Sequence, residues 1–196
     1  MKVKHLVGAF LCVLGCYACS SPKTEVQSPD GHIKMTLTVD ENGKPFYNVS
    51  VDDSLLIENS AMGFTAANGI ILGEGFQVKN TTFSSEDETW TQPWGENKKN
   101  RNHYNEMAVN LTNEDHVQLT LRFRVFDDGI GFRYEYTVPT VDSLLITDEL
   151  TTFRFHRDGT SWSIPASAET YELLYQQQPI SEVETANTPF TFKTAD

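Results

Sequence analysis

The sequence predicts an all-β fold, an antiparallel sandwich, and two patterns carry this prediction. The first is the alternation of apolar and polar residues with period two, which is typical of strands that bury one face. The second is the return of turn signals between the alternating runs. Helical periodicity is weak, since only Ala168 to Tyr175 has the spacing of a short helix. Many strands and few helices favour two packed sheets over an α/β fold.

The first alternating pair predicts a hairpin. The runs Ile33 to Val39 and Tyr47 to Val51 each place apolar residues at every second position. Between them lies Asn42-Gly43, a dipeptide that favours tight hairpin turns because both residues tolerate a positive φ. We therefore expect two antiparallel strands joined at this turn.

The clearest pair lies in the middle of the chain. Val117 to Val125 and Ile130 to Val138 alternate on either side of the turn Asp127-Asp128-Gly129. Such a pair indicates a hairpin with one apolar and one polar face. Further segments with a strand-like composition are Gln77 to Ser84, Tyr104 to Leu111, Leu150 to Phe155 and Phe190 to Thr194.

Composition restricts the class of protein. The 196 residues carry a net charge of −12, with 39% hydrophobic and 11% aromatic residues. This apolar content suffices for a core and excludes a disordered chain. The acidic balance argues against a nucleic-acid partner, because phosphate binding needs clustered Lys and Arg. All three cysteines lie before residue 20, so the rest of the chain has no disulfide, thiolate metal site or cysteine nucleophile.

Residues 1–19 have the plan of a bacterial secretion signal. A basic start is followed by the apolar run Leu6 to Gly15, which is too short to span a bilayer. Val13-Leu14-Gly15-Cys16 resembles a lipobox with Cys16 as the lipidated residue, and Cys19 is a competing site. A plain signal peptide without lipid is the other interpretation. We expect an exported protein of the periplasm or outer membrane, with membrane contact only through a lipid anchor.

We expect the mature chain to begin with a tether. Residues 20–27 are polar and contain a proline, whereas residues 28–196 carry the strand patterns of the folded domain. The chain stops directly after a strand-like run, so we expect this domain to be incomplete at its C-terminus.

The segment Trp90 to Glu96 is a candidate binding site. It contains Trp90 and Trp94 together with Pro93 and Gly95, two residues that are typical of turns. Exposed aromatic rings on a β scaffold can stack on the apolar face of a sugar. Alternatively, the two tryptophans anchor the core at a strand end. The residues alone leave both interpretations open.

The polar segment Asn100 to Glu106 is a weaker candidate. In a strand, His103 and Asn105 share one face while Glu106 lies on the other, so His103 and Glu106 do not converge on a metal ion. A zinc site would need at least three ligands close together. A polar strand edge is the simpler interpretation.

Other charged groups indicate structure more than chemistry. Adjacent acids can serve glycoside hydrolysis when they are held apart on fixed elements, but Glu86-Asp87-Glu88 is expected to face water in a loop. Asp127-Asp128 and His156 to Asp158 each precede a glycine and are expected in turns. Arg122 and Arg124 are expected to lie across from Glu135 as cross-strand partners.

Taken in order, several segments resemble the N-terminal domain of glycoside hydrolase family 97. The resemblance covers nearly all of the mature chain. The segments are Ser28 to Gly31, Trp94-Gly95-Glu96, Asn102 to Glu106, Asp127 to Tyr134, Asn187-Thr188-Pro189 and Lys193 to Asp196.

The resemblance implies a fold and a function. The fold would be an antiparallel β-super-sandwich of the galactose-mutarotase-like kind, placed before a (β/α)8 catalytic barrel. Members hydrolyse α-glucosides or α-galactosides, depend on calcium, and include both inverting and retaining enzymes. Their catalytic carboxylates lie on the barrel, and a calcium ligand is expected just past Asp196. The resemblance therefore assigns no catalytic or metal residue here, and leaves Trp94, Glu96, Asn105 and Glu106 as candidates that support the substrate pocket.

We therefore predict the non-catalytic N-terminal domain of an exported, calcium-dependent α-glycosidase, inactive alone. The α-linked oligosaccharide or α-galactoside would bind the full-length enzyme, whose barrel this domain would pack against. A free-standing carbohydrate-binding envelope lipoprotein is the alternative, and an envelope sandwich without a sugar role is a third.

Overall fold

The computed structural model describes residues 24–194, and this part of the chain contains β-strands and two single turns of 3-10 helix but no α-helix. The predicted signal peptide and its candidate lipidation residues, Cys16 and Cys19, lie outside the described residues. No helix among residues 24–194 is long and apolar enough to cross a membrane. The strands are β1 Glu25–Gln27, β2 Ile33–Val39, β3 Pro45–Val51, β4 Ser54–Ala61, β5 Phe64–Ala66, β6 Gln77–Thr91, β7 Lys99–Thr112, β8 Gln118–Phe126, β9 Gly129–Thr137, β10 Ile146–Glu149, β11 Gly159–Ser163, β12 Gln176–Pro179 and β13 Thr191–Thr194.

Two four-stranded antiparallel sheets form the sandwich. The first has the order β1-β2-β3-β4 and the second β6-β7-β8-β9. Their facing side chains make one buried cluster, because alternate residues of each strand point to the same side. The prediction of an all-β sandwich is confirmed. The largest buried side chains of the cluster are Met35, Leu37, Tyr47, Met62, Leu72, Phe76, Met107, Leu111, Leu119, Leu121 and Phe123.

Both predicted hairpins form at the expected positions. In the first, Val39 pairs with Pro45, and the turn closes with Gly43 at a φ of 75°. In the second, Phe126 pairs with Gly129 across the short turn. Gly43 gives the first turn the positive φ that glycine adopts without strain, whereas none of Asp127, Asp128 and Gly129 has a positive φ.

Two strands extend further than the sequence indicated. The predicted strands Gln77 to Ser84 and Tyr104 to Leu111 become β6 and β7, which pair without a break in the ladder from Asn80 to Thr91. The expectation that Glu86-Asp87-Glu88 lies in a loop is wrong, because these acids lie on β6. The predicted tether is also shorter than expected, since Glu25–Gln27 pairs with β2 as an edge strand.

The predicted strand Leu150 to Phe155 is not a regular strand. The segment does run antiparallel to β4, with Thr152 N–H donating to the Ala61 carbonyl and Glu58 N–H donating to the Arg154 carbonyl. Side chains replace the remaining ladder bonds, because Ala61 N–H donates to Thr152 Oγ1 and Arg154 N–H to Ser60 Oγ. The irregular pattern leaves only an isolated bridge at Phe155.

The predicted helix Ala168 to Tyr175 is absent. This segment is an irregular connection between β11 and β12, in which the Ser167 and Thr170 hydroxyls accept hydrogen bonds from backbone N–H groups. The bond to Thr170, which comes from an N–H two residues on, competes with helical hydrogen bonding. The predicted last strand, by contrast, is confirmed within one residue as β13, which joins a small sheet of order β12-β11-β13.

Candidate functional site

The hairpin of β6 and β7 projects beyond the second sheet as a two-stranded arm. The last residue of β8 pairs with Tyr104, so the strands from Asp87 to Thr91 and from Lys99 to His103 have no third partner strand. We call residues 87–103 the arm. At about 3.4 Å per residue, its paired part reaches about 17 Å past the sheet.

The arm carries two exposed tryptophans. Trp90 is 50% exposed near the end of β6, and Trp94 is 80% exposed in the connecting loop. The interpretation of these residues as core anchors is therefore wrong in this structure. Both rings can contact a sugar or another protein surface. Exposed apolar area of this size often marks an interaction site.

The loop at the tip of the arm is held by its own hydrogen bonds. Gln92 Nε2 donates to the Asn97 carbonyl at 3.0 Å, and Gln92 N–H donates to the Lys98 carbonyl. Gly95 has a φ of 106°, a conformation that only glycine adopts without strain. Glu96 is exposed beside Trp94 and makes no ion pair with any described residue.

Charged and amide pairs fasten the two strands of the arm. Arg101 donates from Nε and Nη2 to both carboxylate oxygens of Asp87, at 2.7 and 2.8 Å. These bonds hold the pKa of Asp87 below its ordinary value. Asn102 donates to Glu88 Oε1 at 3.0 Å. Two of the three adjacent acids, Asp87 and Glu88, therefore form cross-strand pairs on the arm.

Asp127 joins the base of the arm to the rest of the sandwich. Its Oδ2 lies 3.1 Å from His103 Nδ1, and its Oδ1 accepts the backbone N–H of Asp30 at 3.0 Å. The sequence indicated only a turn for Asp127. The Asp127 side chain therefore has a second role, because it connects the β8–β9 turn with β7 and with the β1–β2 loop.

Glu106 lies at the centre of an ion network on the outer face of the second sheet. Its two oxygens accept from Arg122 Nη1 at 2.5 Å and Arg124 Nε at 2.8 Å. Arg122 also binds Glu135, with its Nε 3.0 Å from Oε1. The expected Arg122–Glu135 pair is thus present, whereas Arg124 binds Glu106 instead and lies 4.4 Å from the ring centroid of Tyr104.

The environment of Glu106 keeps its carboxylate ionised. Its side chain is only 9% exposed, and this burial alone would raise its pKa. The hydrogen bonds from Arg124 and Arg122 outweigh burial and hold the pKa below its ordinary value. The Glu135 carboxylate is likewise shifted down in pKa by Arg122, and a bond from Arg133 reinforces the effect.

Asn105 faces the opposite side of β7 and binds the first sheet. Its Nδ2 donates to the Gln27 carbonyl of β1 at 2.9 Å. It lines an open groove of about 610 Å³ between β1 and β6, together with Phe83, Ser84 and Ser85. Asn105 therefore fastens an edge of the sandwich.

The four candidate support residues do not form one site. Trp94 and Glu96 lie at the tip of the arm, whereas Asn105 and Glu106 lie at its base, about 20 Å away along the strand. Asn105 and Glu106 also point to opposite faces, as the alternation predicts.

The remaining polar clusters have structural partners. His156 Nδ1 lies 2.7 Å from Glu58 Oε2, and Asp158 accepts from Ser181 Oγ at 2.7 Å. Within residues 24–194, no three His, Cys, Asp or Glu side chains are arranged to hold a metal ion.

Comparison with known proteins decides the family. Residues 26–196 match the model of the Glycosyl-hydrolase 97 N-terminal family. The chain belongs to this family. It is similar to a retaining alpha-galactosidase of Bacteroides thetaiotaomicron, with 29% identity over 133 residues. That match covers 67% of this chain but 19% of the relative.

Solved structures agree with this assignment. A glycoside hydrolase family 97 enzyme from Pseudoalteromonas sp. strain K8, in complex with panose, matches with a TM-score of 0.78 and 36% identity. The match covers 87% of this chain and 26% of that enzyme, and the acarbose complex of the same enzyme matches equally well. A beta-arabinopyranosidase matches with a TM-score of 0.68 and 25% identity. This family 97 domain therefore spans about a quarter of the length of its solved relatives.

Proposed function

We propose that this chain is the N-terminal, non-catalytic domain of an exported α-glycosidase, and that it packs on a catalytic barrel and helps to shape the sugar pocket. The observation that carries the proposal is the match of most of this chain to only 26% of a family 97 enzyme. The panose and acarbose complexes of that enzyme, together with the alpha-galactosidase relative, support α-linked glucosides or galactosides as substrates.

The arm is the element of this domain best suited to reach a neighbouring pocket. It projects from a rigid sheet, is fastened by Asp87 and Arg101, and presents Trp94 and Glu96 at its tip. The tip offers a sugar an apolar ring at Trp94 and a hydrogen-bonding carboxylate at Glu96. Asn105 and Glu106 support the pocket indirectly, because they hold the base of the arm in place.

Calcium dependence and export belong to the same proposal. The family resemblance implies calcium ligands on the rest of the enzyme, including the position just past Asp196, and the proposal keeps them there. A lipid on Cys16, or on Cys19, would place the enzyme at the periplasm or outer membrane.

Alanine substitutions in the full-length protein test the role of the arm. Trp94→Ala and Glu96→Ala are expected to lower kcat/KM at least about fivefold, which corresponds to about 1 kcal/mol of transition-state stabilisation. Their Tm should stay unchanged because both side chains are exposed. Asn105→Ala tests the indirect role of the base, and a lower Tm is expected from the lost bond to β1. Wild-type kcat and KM in both tip variants would contradict a pocket role.

A free-standing sugar-binding domain is the second candidate, and the exposure of Trp90 and Trp94 favours it. Calorimetry of the isolated chain with maltotriose and with raffinose separates the two candidates. Saturable binding that Trp94→Ala abolishes would favour the free-standing domain. Binding heats at the level of dilution would favour the accessory domain.

A further inference from the structure

Exposed apolar side chains concentrate in one part of the chain. Of the twelve large apolar side chains that are exposed in residues 24–194, eight lie between residues 141 and 175. Every member of the buried cluster, by contrast, lies between Val26 and Val125. The later part of the chain therefore keeps much of its apolar surface outside the core that the sandwich encloses.

The densest group is Tyr171 to Tyr175, which we call the 171–175 segment. Tyr171 is 77% exposed, Leu173 42%, Leu174 89% and Tyr175 65%. Only Glu172 interrupts this apolar run. Exposed apolar side chains concentrated in this way mark an interaction surface more often than a random surface position. The polar residues Thr170 and Gln176 flank the run in the sequence.

The backbone of the segment also lacks internal support. It belongs to no strand or helix, and the backbone N–H groups of Tyr171, Leu173 and Leu174 donate no hydrogen bond to a described residue. Glu172 N–H donates only to the neighbouring Thr170 hydroxyl. Four large apolar groups on such a backbone gain a stable position only by packing against another surface.

We propose that the 171–175 segment is a docking surface for the polypeptide that follows this domain in its family 97 relatives. The inference rests on the proposed function and names the surface through which the domain meets its partner. Those relatives have about three-quarters of their length outside the matched region. The segment leads directly into β12, and the last described strand, β13, lies in the same small sheet. Gln176, which follows the segment, pairs with Ser163, whereas Thr194 pairs with Gly159, so the segment and the end of β13 lie at opposite ends of β11. At about 3.4 Å per residue, a partner that continues from β13 must extend about 14 Å along this sheet to cover the segment.

Hydrogen–deuterium exchange of the full-length protein and of the isolated chain tests this inference. Amides of residues 171–175 are expected to exchange at least about tenfold more slowly in the full-length protein, because burial against the partner excludes water. The exposed acidic turn at Glu114 and Asp115 serves as the internal control and should exchange equally in both. Equal exchange of residues 171–175 in both proteins would overturn the inference.

A pair of leucine variants sharpens the test. In the full-length protein, Leu174→Ser should restore fast exchange in residues 171–175, whereas Leu145→Ser, at another exposed leucine, should not. Size exclusion of the isolated chain adds a second check. If the isolated chain forms a dimer and its residues 171–175 are protected from exchange, a second copy covers the segment, and the inference is overturned. Turnover of the full-length protein on p-nitrophenyl α-glycosides reports separately on the proposed function. If the full-length protein is active but residues 171–175 are not protected from exchange, the docking surface is contradicted and the proposed function is not.

Discussion

Replacing Glu106 with glutamine removes the charge at the centre of the ion network while keeping the side-chain shape. The carboxylate of Glu106 accepts hydrogen bonds from Arg122 at 2.5 Å and from Arg124 at 2.8 Å. The amide can accept on one side only, so its NH₂ group would face a guanidinium. The variant therefore leaves two neighbouring positive charges without their shared partner.

The magnitude follows from the exposure of the three side chains. Glu106 is 9% exposed, whereas Arg122 is 26% and Arg124 41% exposed. Breaking a fully buried pair costs about 3–5 kcal/mol, and breaking an exposed pair costs about 0–1 kcal/mol. Because the arginines are more exposed to water than the carboxylate, we expect a value between these limits: Glu106→Gln should lower the free energy of unfolding by about 2 kcal/mol. For a domain of this size, the Tm would fall by about 4–8 °C.

Urea unfolding followed by circular dichroism at several pH values checks this prediction. The folded-state pKa of Glu106 is depressed, so its contribution to stability is present above the unfolded-state pKa and is lost as the pH falls through the folded-state pKa. The difference between wild type and Glu106→Gln should be full at pH 7 and should shrink below the ordinary value of 4.5. Glu96→Gln, at an exposed carboxylate, is the matched control and should have no effect. A Glu106→Gln variant as stable as wild type at pH 7, or a difference unchanged at pH 3, would refute the reasoning.

Two further predictions concern the turn and the core. Gly43→Ala should destabilise by more than about 2 kcal/mol, since a Cβ would overlap the backbone of Phe76 at a positive φ. Gly31→Ala, also at a positive φ but with open space around its Cβ, should cost only about 1 kcal/mol. Equal losses of Tm in the two variants would contradict the role of the close approach. Tyr47→Phe should cost about 1 kcal/mol in urea unfolding, because the hydroxyl of this fully buried residue donates to the Thr152 carbonyl at 2.9 Å; an unchanged midpoint would show that the bond contributes nothing.

Local patterns predicted the hairpins and the sandwich. The alternation from Ile33 to Val39 and from Val117 to Val125 determines which side chains face the core, and the turn residues determine where the chain reverses. These signals lie within a few residues of one another, so they can be read without the tertiary structure.

Contacts between distant strands could not be predicted in the same way. Glu106 binds Arg124 only because β7 and β8 pair in one register, and no local pattern sets that register. Trp94 is exposed because β8 stops at Phe126 while β6 and β7 continue, which depends on a different part of the chain. The Ala168 to Tyr175 segment has a helical spacing, but the bond from Glu172 N–H to the Thr170 hydroxyl competes with the helix, and no core surface covers the apolar side chains.

Hydrolysis by two purified proteins tests the central claim most directly. One is the isolated chain, and the other is the full-length protein that contains it, each assayed with calcium on p-nitrophenyl α-glucoside and α-galactoside. We expect turnover of at least one substrate by the full-length protein and none by the isolated chain, because the proposed function places the catalytic carboxylates on the barrel. Calcium-dependent turnover by the isolated chain would contradict an accessory role for this domain.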